Sequence, residues 1–147
     1  ASMVPSYTGT SSYLLAQKYN NYVGVGTGTG LNQLAILDPG ASQADSIVPS
    51  MQVMREVLTI LGPTLDAGSA TARREWCINT MAADPQRKSI LANNEDGILY
   101  RWDLTTNTLS QGVRLNAGLG QAYTPTLVGA DGGVYAISNA TLYAIRA

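Results

Sequence analysis

Apolar residues along this chain come in short runs of about four to seven, each stopped by a cluster of Gly, Pro, Asn or Asp. Runs of that length bounded by turn residues predict β-strands. In the first half, Tyr13 to Tyr19 reads as a strand ended by Asn20-Asn21. Gly24 to Gly30 has glycine at every second position, which suits a loop or a strand with one face bare of side chains. Gln33 to Leu37 is the next strand, stopped by Asp38-Pro39-Gly40, and residues 41–50 are small and polar, as in a loop. Met51 to Leu61 carries two patterns. Met51, Met54, Val57, Leu58 and Leu61 fall at helical spacing behind Pro49, whereas Val57 to Leu61 are mostly β-formers cut off by Gly62-Pro63. A strand over Met54 to Ile60 is favoured, with residues 62–74 a loop.

The second half alternates more regularly. Strands are expected over Trp76–Ala82, Ser89–Asn93, Ile98–Leu104, Leu109–Leu115, Thr124–Val128, Val134–Ile137 and Thr141–Ile145. Asp84-Pro85, Glu95-Asp96-Gly97, Thr105-Thr106-Asn107, Asp131-Gly132-Gly133 and Ser138-Asn139 supply the turns. Asp-Gly between two apolar runs points to a hairpin with a type I′ turn, which needs positive φ at both central residues. The chain is therefore all-β, built of antiparallel hairpins.

These strands repeat. Leu99-Tyr100-Arg101-Trp102 and Leu142-Tyr143-Ala144-Ile145 are each the third strand of a similar set, 43 residues apart. From Leu37 to Trp102 the offset is 65, one such unit plus an insertion that the loops at 41–50 and 62–74 could hold. A competing register pairs Gly97 with Gly132 at 35 residues but leaves strands unmatched. Four short strands per ~40–45 residues is the spacing of a β-propeller blade. Three blades are expected, over about residues 11–62, 74–116 and 122–147, in a single partial domain spanning 1–147. The last set stops after its third strand and needs a fourth, from the N-terminal run Val4 to Thr8 or from a partner chain.

The stretch INTMAADPQRKSILANNEDGILYRWDLTTNTLSQGVRLNAGLGQAYTPTLVGADGGVYAISNATLYAI resembles the C-terminal blades of bacterial propellers of the PQQ-like (quinoprotein-like) type. YLLAQKYNNYVGVG, LNQLAILDP and VMREVLTILGP resemble the blade before them, so the likeness spans about residues 11–146. It implies a propeller fold and is nearly silent on function. Three blades cannot close around an axis, and an open arc leaves apolar blade faces and strand edges uncovered. The expected partner is a second copy, two half-propellers making a six-bladed ring with two-fold symmetry; otherwise a different chain, or a removed N-terminal half of this one, supplies the missing blades.

Composition narrows the chemistry. Charged residues are 13% of the chain, with nine Lys plus Arg against ten Asp plus Glu. That balance offers no basic stripe for nucleic acid and no polybasic membrane-binding patch. No apolar run reaches the ~18 residues of a membrane-spanning helix. Without histidine, Ser-His-Asp and Cys-His catalysis and histidine metal ligation have no residues to work with. Cys77 is the only cysteine, so neither an intrachain disulfide nor a cysteine-rich zinc site is available.

No residue is singled out as catalytic, cofactor-binding or metal-ligating, and no cofactor is expected. The glycines of 24–30 do not fit G-x-G-x-x-G and no Lys-Ser/Thr follows them. Asn93 to Gly97 has oxygen ligands but lacks the calcium-loop spacing, since its twelfth position is Leu104, and so reads as a hairpin turn. Asp38 and Asp103 end strands and are expected to accept bonds from the following turn. Trp76 and Trp102 are expected in the core or between blades, Cys77 as a small buried hydrophobe, and Arg73-Arg74-Glu75 as a solvated loop. The expected function is a non-catalytic binding or assembly scaffold. The alternatives are a glycan-binding propeller and a fragment of a quinoprotein-like dehydrogenase. Few Lys and many Thr, Ser, Asn and Gly suggest an extracytoplasmic, periplasmic or secreted, bacterial protein.

Overall fold

A computed structural model describes residues 2–5, 9–76, 81–117 and 125–146 of the chain. Among them are eleven strands and no helix: β1 (Ser2–Pro5), β2 (Tyr13–Tyr19), β3 (Gln33–Ala44), β4 (Gln52–Leu61), β5 (Ala82–Asp84), β6 (Ser89–Asn93), β7 (Ile98–Asp103), β8 (Thr108–Arg114), β9 (Leu127–Val128), β10 (Val134–Ser138) and β11 (Thr141–Ile145). Each pairs antiparallel with its neighbour in sequence, giving three sheets in the orders β1-β2-β3-β4, β5-β6-β7-β8 and β11-β10-β9. The architecture is an unclosed arc of three all-β sheets, consistent with successive blades of a propeller.

The middle sheet is covered on both faces, and its strands show why. Side chains alternate across a strand, so β6 can serve two cores at once. Ile90 and Ala92 join Leu14, Ala16, Leu34 and Ile36 of the first sheet in one cluster, with Trp76 and Trp102 at its centre. Leu91 joins Leu99, Leu115, Val134 and Ala136 in a second cluster against the third sheet. All five residues of β6 are buried in consequence. Trp76 meets Tyr100 edge to face, with ring centres 6.0 Å apart.

The repeat holds in three dimensions. Tyr100 and Trp102 pack toward the first sheet, and Tyr143 and Ile145, 43 residues on, pack toward the second. Gly97 lies between the second and third strands of its sheet, whereas Gly132 lies between the first and second. The 35-residue register is thereby excluded.

Several local expectations are corrected. Asp38-Pro39-Gly40 does not end a strand, because β3 continues to Ala44. Asp38 pairs with Arg55 and Ser42 with Met54, so residues 39–41 bulge out of the ladder, and the expected loop at 41–50 contracts to 45–51. Met51 to Leu61 supplies a strand, Gln52–Leu61, so the helical spacing of its methionines is incidental. The N-terminal strand covers Ser2–Pro5 and pairs with β2 in the first sheet instead of completing the last. Glu95-Asp96-Gly97 does make a hairpin, but positive φ occurs at Gly97 alone, and Gly97 N–H donates to Asn94 O at 3.1 Å. The two-residue turn with both φ values positive is Asn139-Ala140. Of the run Trp76–Ala82, residues 77–80 lie outside the described residues, as does Thr124.

Candidate functional site

The outward face of the third sheet is an open apolar surface among the described residues. Register places Tyr135 beside Leu127 and Ala144, and Ile137 beside Leu142, all on the side opposite the core-facing Val134 and Ala136. Leu127 and Leu142 are exposed, Leu142 at 65%. Its repeat equivalent in the middle sheet is Leu99, which lies 4% exposed beneath the third sheet. Two leucines at matching positions differ because one has a sheet over it and the other, among the described residues, does not.

The outward face of the first sheet is more mixed. Leu15 pairs with Leu37, Gln17 with Ala35 and Tyr19 with Gln33, so two half-buried leucines and a buried alanine share this face with polar groups. The far end of the β3–β4 hairpin overhangs this face and forms with it a hollow of about 540 Å³ lined by Gln17, Tyr19, Ala35, Leu37, Val53 and Met54. The bulge that lets the hairpin project is held from within. Asp38 is buried and accepts from Gly40 N–H at 3.0 Å, Ser11 N–H at 3.3 Å, the Ser11 hydroxyl, and Arg55 Nη2 at 2.9 Å. The Ser11 hydroxyl does most to hold the Asp38 carboxyl below the usual aspartate range; burial opposes it and the remaining donors reinforce it.

Between the second and third sheets lies a cleft of about 560 Å³. Leu91, Leu99, Val134 and Ile145 floor it, and Arg87, Arg101 and Arg146 stand around it. Asp84 anchors two of these, accepting from Arg101 Nη1 at 3.0 Å and Arg87 Nη1 at 3.1 Å. Burial pushes the Asp84 carboxyl up, but the bonds from Arg101 and Arg87 outweigh it and leave it below the usual range. Arg101 is itself half-buried and is held further by Ser89 Oγ at 2.6 Å and Gln111 Oε1 at 3.0 Å. Arg146 reaches Asp131 at 2.9 Å. Three guanidinium groups face two carboxylates, which leaves the cleft with an excess of positive charge.

The residues weighed from sequence fall elsewhere. Gly24 to Gly30 is a loop tied by Gly28 N–H to Val25 O and Gly30 N–H to Asn21 O, with a strand and no helix after it. In Asn93 to Gly97 the acidic oxygens are committed: Asp96 Oδ2 accepts from Thr64 Oγ1 at 2.6 Å and Tyr100 Oη at 2.7 Å, and Oδ1 from Ile98 N–H at 3.0 Å. Among the described residues, no three Asp, Glu, His or Cys gather as a metal site. Asp103 accepts from the N–H groups of Thr105 and Thr106 at 2.7 and 3.0 Å, as the turn requires. Trp76 and Trp102 are fully buried between the first two sheets. Arg73-Arg74-Glu75 is not a solvated loop: Arg74 is largely buried and pairs with Asp66 at 3.3 Å and Glu95 at 3.8 Å. Cys77 lies outside the described residues. Sequence reasoning missed the arginine cleft, because Arg87, Arg101 and Arg146 come from three separate segments and only the alternation of Leu99 with Arg101 hints at it. No protein-family model matches the chain, and no curated protein matches it.

Proposed function

We propose that this protein is a non-catalytic assembly scaffold, a partial β-propeller of the PQQ-like type that completes its ring by associating with a second copy. The observation that carries the reading is the contrast between Leu99 and Leu142, equivalent in the repeat and opposite in exposure. A sheet that continues the arc would bury Leu142 with Tyr135, Ile137 and Leu127 as the third sheet buries Leu99. The first sheet of a second copy is the natural occupant, since Leu15 and Leu37, both half-buried, pair on its outward face. Two copies joined third sheet to first sheet, twice, give six sheets about one two-fold axis and leave no end face uncovered. A ring of this kind presents loops at both rims to ligands, and its Thr-, Ser- and Asn-rich surface suits an extracytoplasmic setting in a bacterium.

The test is a charge placed at the predicted contact. Leu142→Lys, at an exposed position, leaves the fold intact and should convert the assembled particle to single chains in sedimentation velocity. Thr105→Lys, in the exposed β7–β8 turn of the middle sheet, should leave it assembled. An assembled particle that is indifferent to Leu142→Lys overturns the reading.

A further inference from the structure

Three polar side chains meet between the second and third sheets, and each keeps an oxygen with no partner in the protein. They belong to Asn93, the last residue of β6, Thr126, one residue ahead of β9, and Ser138, the last residue of β10. Each residue is 2% exposed, and the atoms are Asn93 Oδ1, Thr126 Oγ1 and Ser138 Oγ. A buried polar group left unmatched costs about 1–3 kcal/mol, so three in one place call for a common partner.

Strand geometry turns the three to one gap. On β10 the buried positions alternate as Val134, Ala136 and Ser138, and the first two face the middle sheet. The register that pairs Leu127 with Tyr135 sets Thr126 opposite Ala136, so Thr126 and Ser138 are diagonal neighbours on that face. Asn93 shares its face of β6 with Leu91, which belongs to the same cluster as Val134 and Ala136. Its amide spans the gap, Nδ2 donating to Ile137 O at 3.4 Å, and that bond fixes Oδ1 as the unmatched acceptor. The polar trio thus closes one end of an interface that is otherwise apolar.

The count of donors and acceptors selects the occupant. The two hydroxyls carry protons that need acceptors, whereas Asn93 Oδ1 needs a donor. A metal or ammonium ion would serve the oxygens and leave both hydroxyl protons unmatched. One water accepts from Thr126 and Ser138 and donates to Asn93 Oδ1, making the about three bonds usual for an internal water. We propose that Asn93, Thr126 and Ser138 bind a single internal water that joins the second sheet to the third. The site is independent of assembly, since its atoms are already closed from solvent and nothing added outside the sheets reaches them.

Oxygen-17 relaxation dispersion counts long-lived internal waters without interference from hydroxyl exchange. The double variant Thr126→Val with Ser138→Ala should lose one such water relative to the unaltered chain. In the unaltered chain, at least one of the Thr126, Ile137 and Ser138 amides should show a nuclear Overhauser contact to water of the sign that marks slow exchange. An unchanged count in the folded double variant overturns the proposal. So does the lack of a slowly exchanging contact at all three amides, a result that needs no variant to fold. A melting temperature that rises with sodium or potassium chloride but not with choline chloride, and only while both hydroxyls are present, would make this a cation site and also overturns it.

Discussion

Ala140 holds φ at 58°, a conformation that favours glycine, so that the β10–β11 hairpin can close in two residues. Ala140→Gly should raise stability by about 1 kcal/mol in urea unfolding, net of the entropy that glycine loses. Charged anchors act at the same scale. Asp38 and Asp84 have carboxyls held below the ordinary aspartate value of about 3.9, so the folded state binds fewer protons there than the unfolded chain. Their stabilisation is full above that value and is lost as pH falls through the folded values. Melting temperature should be flat in this respect from pH 7 to pH 5 and fall below about pH 4. Asp84→Asn, which leaves Arg101 without its carboxylate, should cost about 1–3 kcal/mol at neutral pH and blunt the acid drop. The turn-capping role of Asp103 was legible from its place before Thr105-Thr106-Asn107. Asp84 was read only as part of a turn, since its partner Arg101 is seventeen residues away and meets it through strand pairing.

Among elements, the β3–β4 hairpin departs furthest from its local signal. Asp38-Pro39-Gly40 has turn composition and reads as a stop, yet antiparallel strands accommodate extra residues as a bulge when the displaced backbone finds partners. Asp38 provides them by binding Gly40 N–H, Ser11 and Arg55 together. Gly40 is required for this packing, since a Cβ there would collide with the Ser11 hydroxyl. Gly40→Ala should therefore destabilise the chain by about 1–3 kcal/mol and raise hydrogen exchange along residues 42–54 before the rest. From Ser89 onward the strands were legible because alternation and turn residues agree there, whereas the strand expected over Trp76–Ala82 lies at Ala82–Asp84, with Asp84 inside it. Met51 to Leu61 was ambiguous because periodicity and β-propensity disagree, and pairing with β3 decides it.

For the whole molecule, the 43-residue repeat carried the architecture from sequence: equivalent positions Trp102 and Ile145 do face equivalent neighbours. What the repeat could not convey is which face stays open, because exposure at Leu142 depends on what lies beyond the last sheet. The same chemistry should thus give opposite results at paired sites. Leu99→Ala, in a closed core, should cost about 2–4 kcal/mol, whereas Leu142→Ala should leave the unfolding of a single chain almost unchanged. The central claim is that an open arc of three sheets finishes itself with another copy, and the mass of the particle tests it most directly. Light scattering behind size exclusion should give twice the chain mass of 15.5 kDa, independent of dilution through the micromolar range. A folded, cooperative particle of one chain mass at every concentration would contradict it.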